Sequence, residues 1–277
     1  MVRLVLVILC FSVSVFADEV AEKPLPKIEL GVGLGLAYLP SYPGSDEPIG
    51  LGFPLPYVIY RGQILKADRE GGYRAVLLEK GSVEFDLGFG GGFATDSEDN
   101  EARDGMDELD YTIEVGPRAK WTIVRNKEHQ LRLLVPVRYA MSVDFEHQQY
   151  RGWVFNPSLN WKWNLPYGEG WQLFTGLGAS WATKRFMEYF YTVEADEATA
   201  QRPAYEAESG FWAVNTSLIV GKRMPKIGLS IFTGVSLNNY DPGPNTDSPL
   251  LRDRYTASYV SGLAKKLWES DEMGASN

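Results

Sequence analysis

The stretch SVEFDLGFGGGF, residues 82–93, alternates with a period of two. Val83, Phe85, Leu87, Phe89 and Phe93 fall on one side of the repeat, and Glu84, Asp86, Gly88, Gly90 and Gly92 on the other. That period belongs to a β-strand with one apolar and one polar face. Alternation alone does not say whether the apolar face meets a protein core, as in a soluble sandwich, or lipid, as in a membrane barrel.

The same rhythm runs through most of the chain. In 28–39, Ile28, Leu30, Val32, Leu34, Leu36 and Tyr38 oppose Glu29 and a row of Gly and Ala. In 109–123, Leu109, Tyr111, Ile113, Val115, Ala119, Trp121 and Ile123 oppose Asp110, Thr112, Glu114, Arg118 and Lys120. Leu131, Leu133, Val135, Val137, Tyr139, Met141 and Val143 oppose Gln130, Arg132, Arg138 and Ser142. Weaker versions place Trp153, Phe155, Leu159, Trp161 and Trp163 against Asn156, Asn160 and Lys162, then align Trp171, Leu173, Leu177 and Trp181. Two more align Trp212, Val214, Leu218 and Val220, and Ile227, Leu229, Ile231, Val235 and Leu237. These strands run to about 10–15 residues, against about 5–6 in soluble sheets and about 9–11 for a tilted membrane-crossing strand.

The connections separate the two cases. TDSEDNEARDGMDE, the region 185–209 and NYDPGPNTDSPLLRD are long, whereas RNKEH, PYGEG and RMPK are short, and DFEHQQ lies between. Outer-membrane barrels alternate in this way, with short periplasmic turns and long extracellular loops. The sequence therefore predicts an all-β fold, an antiparallel transmembrane β-barrel of the bacterial outer membrane, with the apolar side of 82–93 toward lipid. A slip of one residue would turn Arg118 and Lys120 to lipid at about 2–4 kcal/mol each. Ten strands are clear, and 62–81 adds either one kinked strand or a hairpin turning at 69–72. An even count favours about twelve strands, with ten as the alternative.

Composition agrees: 15 Tyr, 13 Phe and 8 Trp stand beside 28 Gly in 277 residues. Aromatics favour strands and glycine favours turns and close approaches. At the N-terminus, Arg3 precedes an almost wholly apolar 4–15, and Val15-Phe16-Ala17 offers a cleavage site, so residues 1–17 read as an export signal. The apolar span is too short for a transmembrane helix. Residues 18–27 then form a periplasmic arm, 28–268 the barrel and 269–277 a periplasmic tail. Cys10 is the only cysteine and leaves with the signal, which excludes disulfides, zinc-thiolate sites and cysteine nucleophiles. Net charge is −9, and loss of Arg3 leaves −10, which disfavours nucleic-acid binding.

Little catalytic chemistry is available. Of the two histidines, His129 falls in a short turn and His147 in the DFEHQQ loop with Asp144 and Glu146, five residues after Ser142. A Ser142–His147 dyad would be the one nucleophilic arrangement on the long-loop side. The acidic loop 96–110 lacks the spacing of an EF-hand. We expect no enzyme, no cofactor and no metal site. The lumen-lining set is Glu84, Asp86, Glu114, Arg118, Lys120, Arg132, Arg138 and Lys162. Their mixed signs either line a narrow pore for small polar solutes or pair across strands and close it. Trp121, Trp153, Trp161, Trp163, Trp171 and Trp181 are expected in interfacial girdles.

Three segments carry a family resemblance. They are YLPSYPGSDE (38–47) followed by GFPLPYVIYRG, then EYFYTVEADEATAQRPAYEAESGFW, and DSPLLRD before the last strand. In that order they resemble the MipA/OmpV family of MltA-interacting and outer-membrane V proteins, over nearly the whole mature chain. In one departure, such barrels usually end on an aromatic residue, whereas here Trp268 is followed by ESDEMGASN. The resemblance implies a scaffold joining a lytic murein transglycosylase to a murein synthase, or in other members an adhesin or permeability role. Outer-membrane lipid and lipopolysaccharide would surround it. The expected partner-binding rim is periplasmic: Arg125, Lys127, Lys222, Arg223 and Lys226, with Arg61, Lys80 and the turn 167–170 nearby.

Overall fold

The computed structural model describes residues 25–68, 72–144, 147–166 and 170–274. The signal 1–17, residues 18–24 of the arm, the turn 69–71, Phe145 and Glu146, the turn residues 167–169 and the tail's last three residues lie outside the described residues.

The strands in chain order are β1 (Ile28–Pro40), β2 (Pro48–Arg61), β3 (Leu65–Asp68), β4 (Gly72–Lys80), β5 (Val83–Gly92), β6 (Tyr111–Arg125) and β7 (His129–Val143). β8 (Gln148–Phe155), β9 (Ser158–Asn164) and β10 (Trp171–Ala182) come next, then helix α1 (Lys184–Tyr191). β11 (Gly210–Met224), β12 (Leu229–Asn239) and β13 (Tyr255–Glu269) complete the chain. Each neighbour is antiparallel, and β13 returns to pair with β1. β8 and β9 both lie between β7 and β10, so they are halves of one strand interrupted at Asn156 and Pro157. Thirteen segments thus make a barrel of twelve strands, closed by the pairing of β13 with β1; among the described residues β2 keeps an unpaired edge above its short contact with β3. The ambiguous 62–81 is the short hairpin β3–β4.

The outer surface is apolar. Val32, Leu36, Tyr38, Leu177, Leu218, Leu237, Tyr259 and Leu263 are all exposed, as are Phe85 and Phe89 of the stretch 82–93. Phe93 departs from that stretch. β5 ends at Gly92, so the two-residue repeat no longer holds, and Phe93 lines an inner cavity instead of facing lipid. Trp163, Trp171 and Trp181 lie at or next to strand ends, and Trp161 and Trp163 stack with ring centroids 5.8 Å apart. Ile227 sits in a 3-10 turn before β12 and not in the strand itself. β13 continues through Lys265 and Lys266 to Glu269, with a bulge opposite Leu30 and Gly31. Lys27 N then donates to Glu272 O (2.7 Å) and Gly274 N to Leu25 O (2.8 Å), so the two chain ends run side by side at the short-turn end.

Buried apolar residues are gathered in the long loops. Tyr42, Leu109, Phe186, Met187, Phe190, Tyr191, Tyr240 and Leu251 form one cluster, with Trp212 packed against it. Read from the sequence as part of a loop, 184–191 forms α1 because Phe186, Met187, Phe190 and Tyr191 share one buried face at helical spacing. The helix lies on β8 where Gly152 (φ +118°) is required, since a Cβ there would stand 2.2 Å from Thr183 Oγ1. Trp212 is also displaced from the outer face that its alternation predicts. A bulge between Ser180 and Trp181 of the paired strand turns its indole inward, where Nε1 donates to Tyr191 Oη at 2.9 Å. The outcome is an aromatic plug at the long-loop end of the barrel.

Candidate functional site: a plugged and charge-paired lumen

The inner wall has three sectors. Across β4–β7 it is charged: Arg74 Nε and Lys120 Nζ both lie 2.8 Å from Glu84 Oε1. Arg118 forks onto Asp86 through Nε (2.9 Å) and an Nη (3.0 Å), and Arg138 Nε lies 3.0 Å from Glu114 Oε2. Asp86, Arg74, Glu84 and Lys120 are less than 5% exposed. Such ion pairs form because inward alternate positions on adjacent antiparallel strands stand opposite one another, as Glu84↔Lys120 and Asp86↔Arg118 do. Arg132 donates to Gln130, and Lys162, opposite Gln130, is buried on the same inner side. Of the eight residues read from the sequence as lumen-lining, Glu84, Asp86, Glu114, Lys120 and Lys162 are buried and Arg118, Arg132 and Arg138 half-buried, on neighbouring strands.

From the break between β8 and β9 across β10 to β12 the wall carries a chain of neutral polar side chains. Asn156 donates to Ser180 Oγ (2.5 Å), Ser180 to Asn215 Oδ1 (2.7 Å), and Asn215 to Asn238 Oδ1 (2.7 Å). The third sector, β1–β2, is apolar. Gly33 and Gly35 of β1 face inward beneath Leu55 and Phe53 of β2: a Cβ on Gly35 would meet Phe53 Cε2 at 2.5 Å. A lumen reading built only on charged residues misses this wall, because PIGLGFPLPYVIYR alternates apolar residues with Gly and Pro, and either face suits lipid.

The plug closes the long-loop end. Tyr42 Oη donates to Leu250 O (2.7 Å) and Ser248 Oγ to Tyr191 O (2.7 Å). Arg202 donates to the carbonyls of Ala102, Asp104 and Glu197, tying two long loops together. Burial pushes the Tyr42 and Tyr191 phenols well above their usual range, and Tyr240 up to about 12, so all three stay neutral at physiological pH.

Other candidate groups do not assemble into a reactive site. Ser142 is buried and accepts from Arg151 Nε (2.9 Å), whereas His147 is exposed beside Asp144, so no Ser142–His147 pair forms. Among the described residues no three His, Cys, Asp or Glu side chains are placed to hold a metal ion. At the short-turn end, Lys80, Arg125, Lys127 and Lys226 are exposed, and Lys222 Nζ lies 5.0 Å from the Trp171 ring centre. Arg61 does not join this rim, because it is held by Glu29 Oε1 and the Pro26 carbonyl, both at 2.6 Å.

Compared with known proteins, the sequence matches the family described as MltA-interacting protein MipA over residues 32–267. No curated protein matches it. Among solved structures, the fold is similar to an outer membrane channel from Pseudomonas putida F1, with 10% identity, a TM-score of 0.46, and coverage of 91% of this chain and 100% of that one. It is also similar to the NanC porin, with 8% identity, a TM-score of 0.41, and coverage of 85% and 100%. A third similar structure is the outer membrane protease OmpT from Escherichia coli, with 8% identity, a TM-score of 0.30, and coverage of 92% and 100%.

Proposed function

Because the chain belongs to the MltA-interacting protein MipA family, we propose that it is a non-enzymatic scaffold that holds murein enzymes at the short-turn end of its barrel, facing the periplasm. That it is an outer-membrane barrel is carried by family and fold together. The observation that supports the scaffold reading most is the contrast between the two ends. Arg125, Lys127, Lys222, Arg223 and Lys226 gather on the short turns and the strand ends beside them, while the long loops carry Asp96, Glu98, Asp99, Glu101, Asp104, Asp107 and Glu108. A cationic rim steers acidic protein surfaces toward itself and raises their association rate. The paired lumen and the plug leave the barrel's ends, and not a conduit, as the surfaces on which it acts. The implied partners are a lytic murein transglycosylase and a murein synthase.

Replacing Lys222, Arg223 and Lys226 together by Glu is expected to weaken capture of a lytic murein transglycosylase in pull-downs from solubilised envelopes. Since long-range steering is screened by salt, the difference from wild type should shrink as ionic strength rises. Heat-modifiable gel migration reports that the variant barrel is intact. Unchanged capture by an intact variant would contradict the assignment of this rim.

A further inference from the structure

Among the described residues, the barrel wall is incomplete in one sector. β2 pairs with β1 along its whole length, from Ile28↔Tyr60 to Pro40↔Pro48. With β3 it pairs only through Tyr60↔Ala67 and Arg61↔Lys66. Over 48–58, no described residue pairs with its other edge. Across the gap, the described pairing of β5 with β4 ends at Ala75↔Leu87, below 88–92. Above it, the 93–110 loop is clasped to the β1–β2 turn, with Asn100 Nδ2 donating to Ser41 Oγ (3.1 Å) and Glu101 N to Glu47 Oε1 (2.8 Å). The gap is a window with a floor and a lintel.

Its β2 edge is unsuited to another strand. Arg61 N donates to Lys27 O and Ser41 N to Glu47 O, so odd-numbered residues of β2 turn their backbone toward β1 and even-numbered ones toward the gap. Pro48, Pro54 and Pro56 are even-numbered and have no N–H to offer there. Prolines at these positions block strand addition by a partner or a second copy, and they spare the edge three unpaired donors in an apolar medium. Beside the gap on the outside, Leu34, Leu36 and Tyr38 are exposed in the lipid-facing belt. On the inside, Ile49, Leu51, Phe53 and Leu55 are half-exposed and lie on the inner face of β2. Behind the window, Phe93, Phe186, Phe190 and Trp212 line the apolar side of a cavity of about 210 Å³ beneath the plug, with Glu114 and Asn238 on its polar side.

We propose that this window is a lateral binding site for a lipid acyl chain. A chain from the surrounding leaflet enters between β2 and β5, lies along Leu51, Phe53 and Leu55, and ends in the cavity under α1. The occupant is lipid because lipid already adjoins the window, strand pairing is blocked by the prolines, and the inner face of β2 over 49–55 offers alkyl and aromatic contact without charge.

The test is photolabelling of the full barrel in phosphatidylethanolamine vesicles doped with a phospholipid that carries a diazirine on its acyl chain, with adducts mapped to single residues. Adducts are expected at the inward Leu51, Phe53 and Phe93 as well as at outward residues such as Leu263. Exchanging both Phe53 and Leu55 for Gln should lower the adducts at Leu51 and Phe93 at least tenfold, since loss of even one side chain's apolar contact accounts for about that factor. Adducts at Leu263 should not change. Labelling confined to outward residues, in wild type alone, would overturn the site; inward labelling that the double substitution leaves unchanged would overturn the assigned wall.

Discussion

Arginine in place of Leu218 is expected to suppress assembly of the barrel in vesicles, whereas arginine at the adjacent Ser217 should leave most of it intact. Leu218 is exposed in the middle of β11, on the face that meets lipid, and Ser217 points into the lumen, where its Oγ would stand 2.7 Å from a Cβ on Gly176. A cation on the lipid face costs about 2–4 kcal/mol near the midplane, while a polar lumen solvates it. The readout is the heat-modifiable fraction after refolding into vesicles. Equal yields for the two variants would mean that β11 is assigned the wrong way round.

Cutting the buried charge cluster is expected to have an effect of similar size. Glu84→Ala leaves Arg74 and Lys120 together, each less than 5% exposed, with their shared carboxylate gone. Removing one partner of a buried pair costs about 3–5 kcal/mol, because an uncompensated charge stays behind. The triple variant Arg74→Met, Glu84→Leu, Lys120→Met should recover most of that loss, since apolar residues of similar volume replace buried ion pairs at little cost. Denaturant unfolding of the barrel in micelles measures both. A loss below about 1 kcal/mol for Glu84→Ala would mean that water screens the cluster as it does a surface pair.

What was legible in the sequence depended on contrast between the two faces of each strand. In β5, β6 and β7 the inward positions are charged or small and the outward ones apolar, so parity alone fixes the register. The hairpin β3–β4 follows from an even strand count and the glycines at its turn. β2 has no such contrast: Pro and Gly face outward and Leu51, Phe53 and Leu55 inward, and both sets tolerate an apolar medium. Its apolar wall and open edge emerge only from the pairing. Trp212 and Phe93 defeat a period of two for a different reason, a bulge in one case and a strand end in the other. The plug was unreadable because α1 is held by aromatic residues from distant loops, Tyr42 and Tyr240 among them, which no local pattern connects. At the rim the cations were legible as charges, but the fixing of Arg61 by Glu29 and Pro26 depends on how β1 and β2 meet.

The scaffold proposed above works at the barrel's ends and not as a conduit. Single-channel recording of the purified wild-type barrel in planar bilayers tests this directly. Inserted, heat-modifiable barrels are predicted to carry no steady current, because Glu84, Asp86 and Glu114 are tied to their cations and the long-loop end is closed by α1. A stable conductance, proportional to salt and present with every inserted barrel, would contradict it.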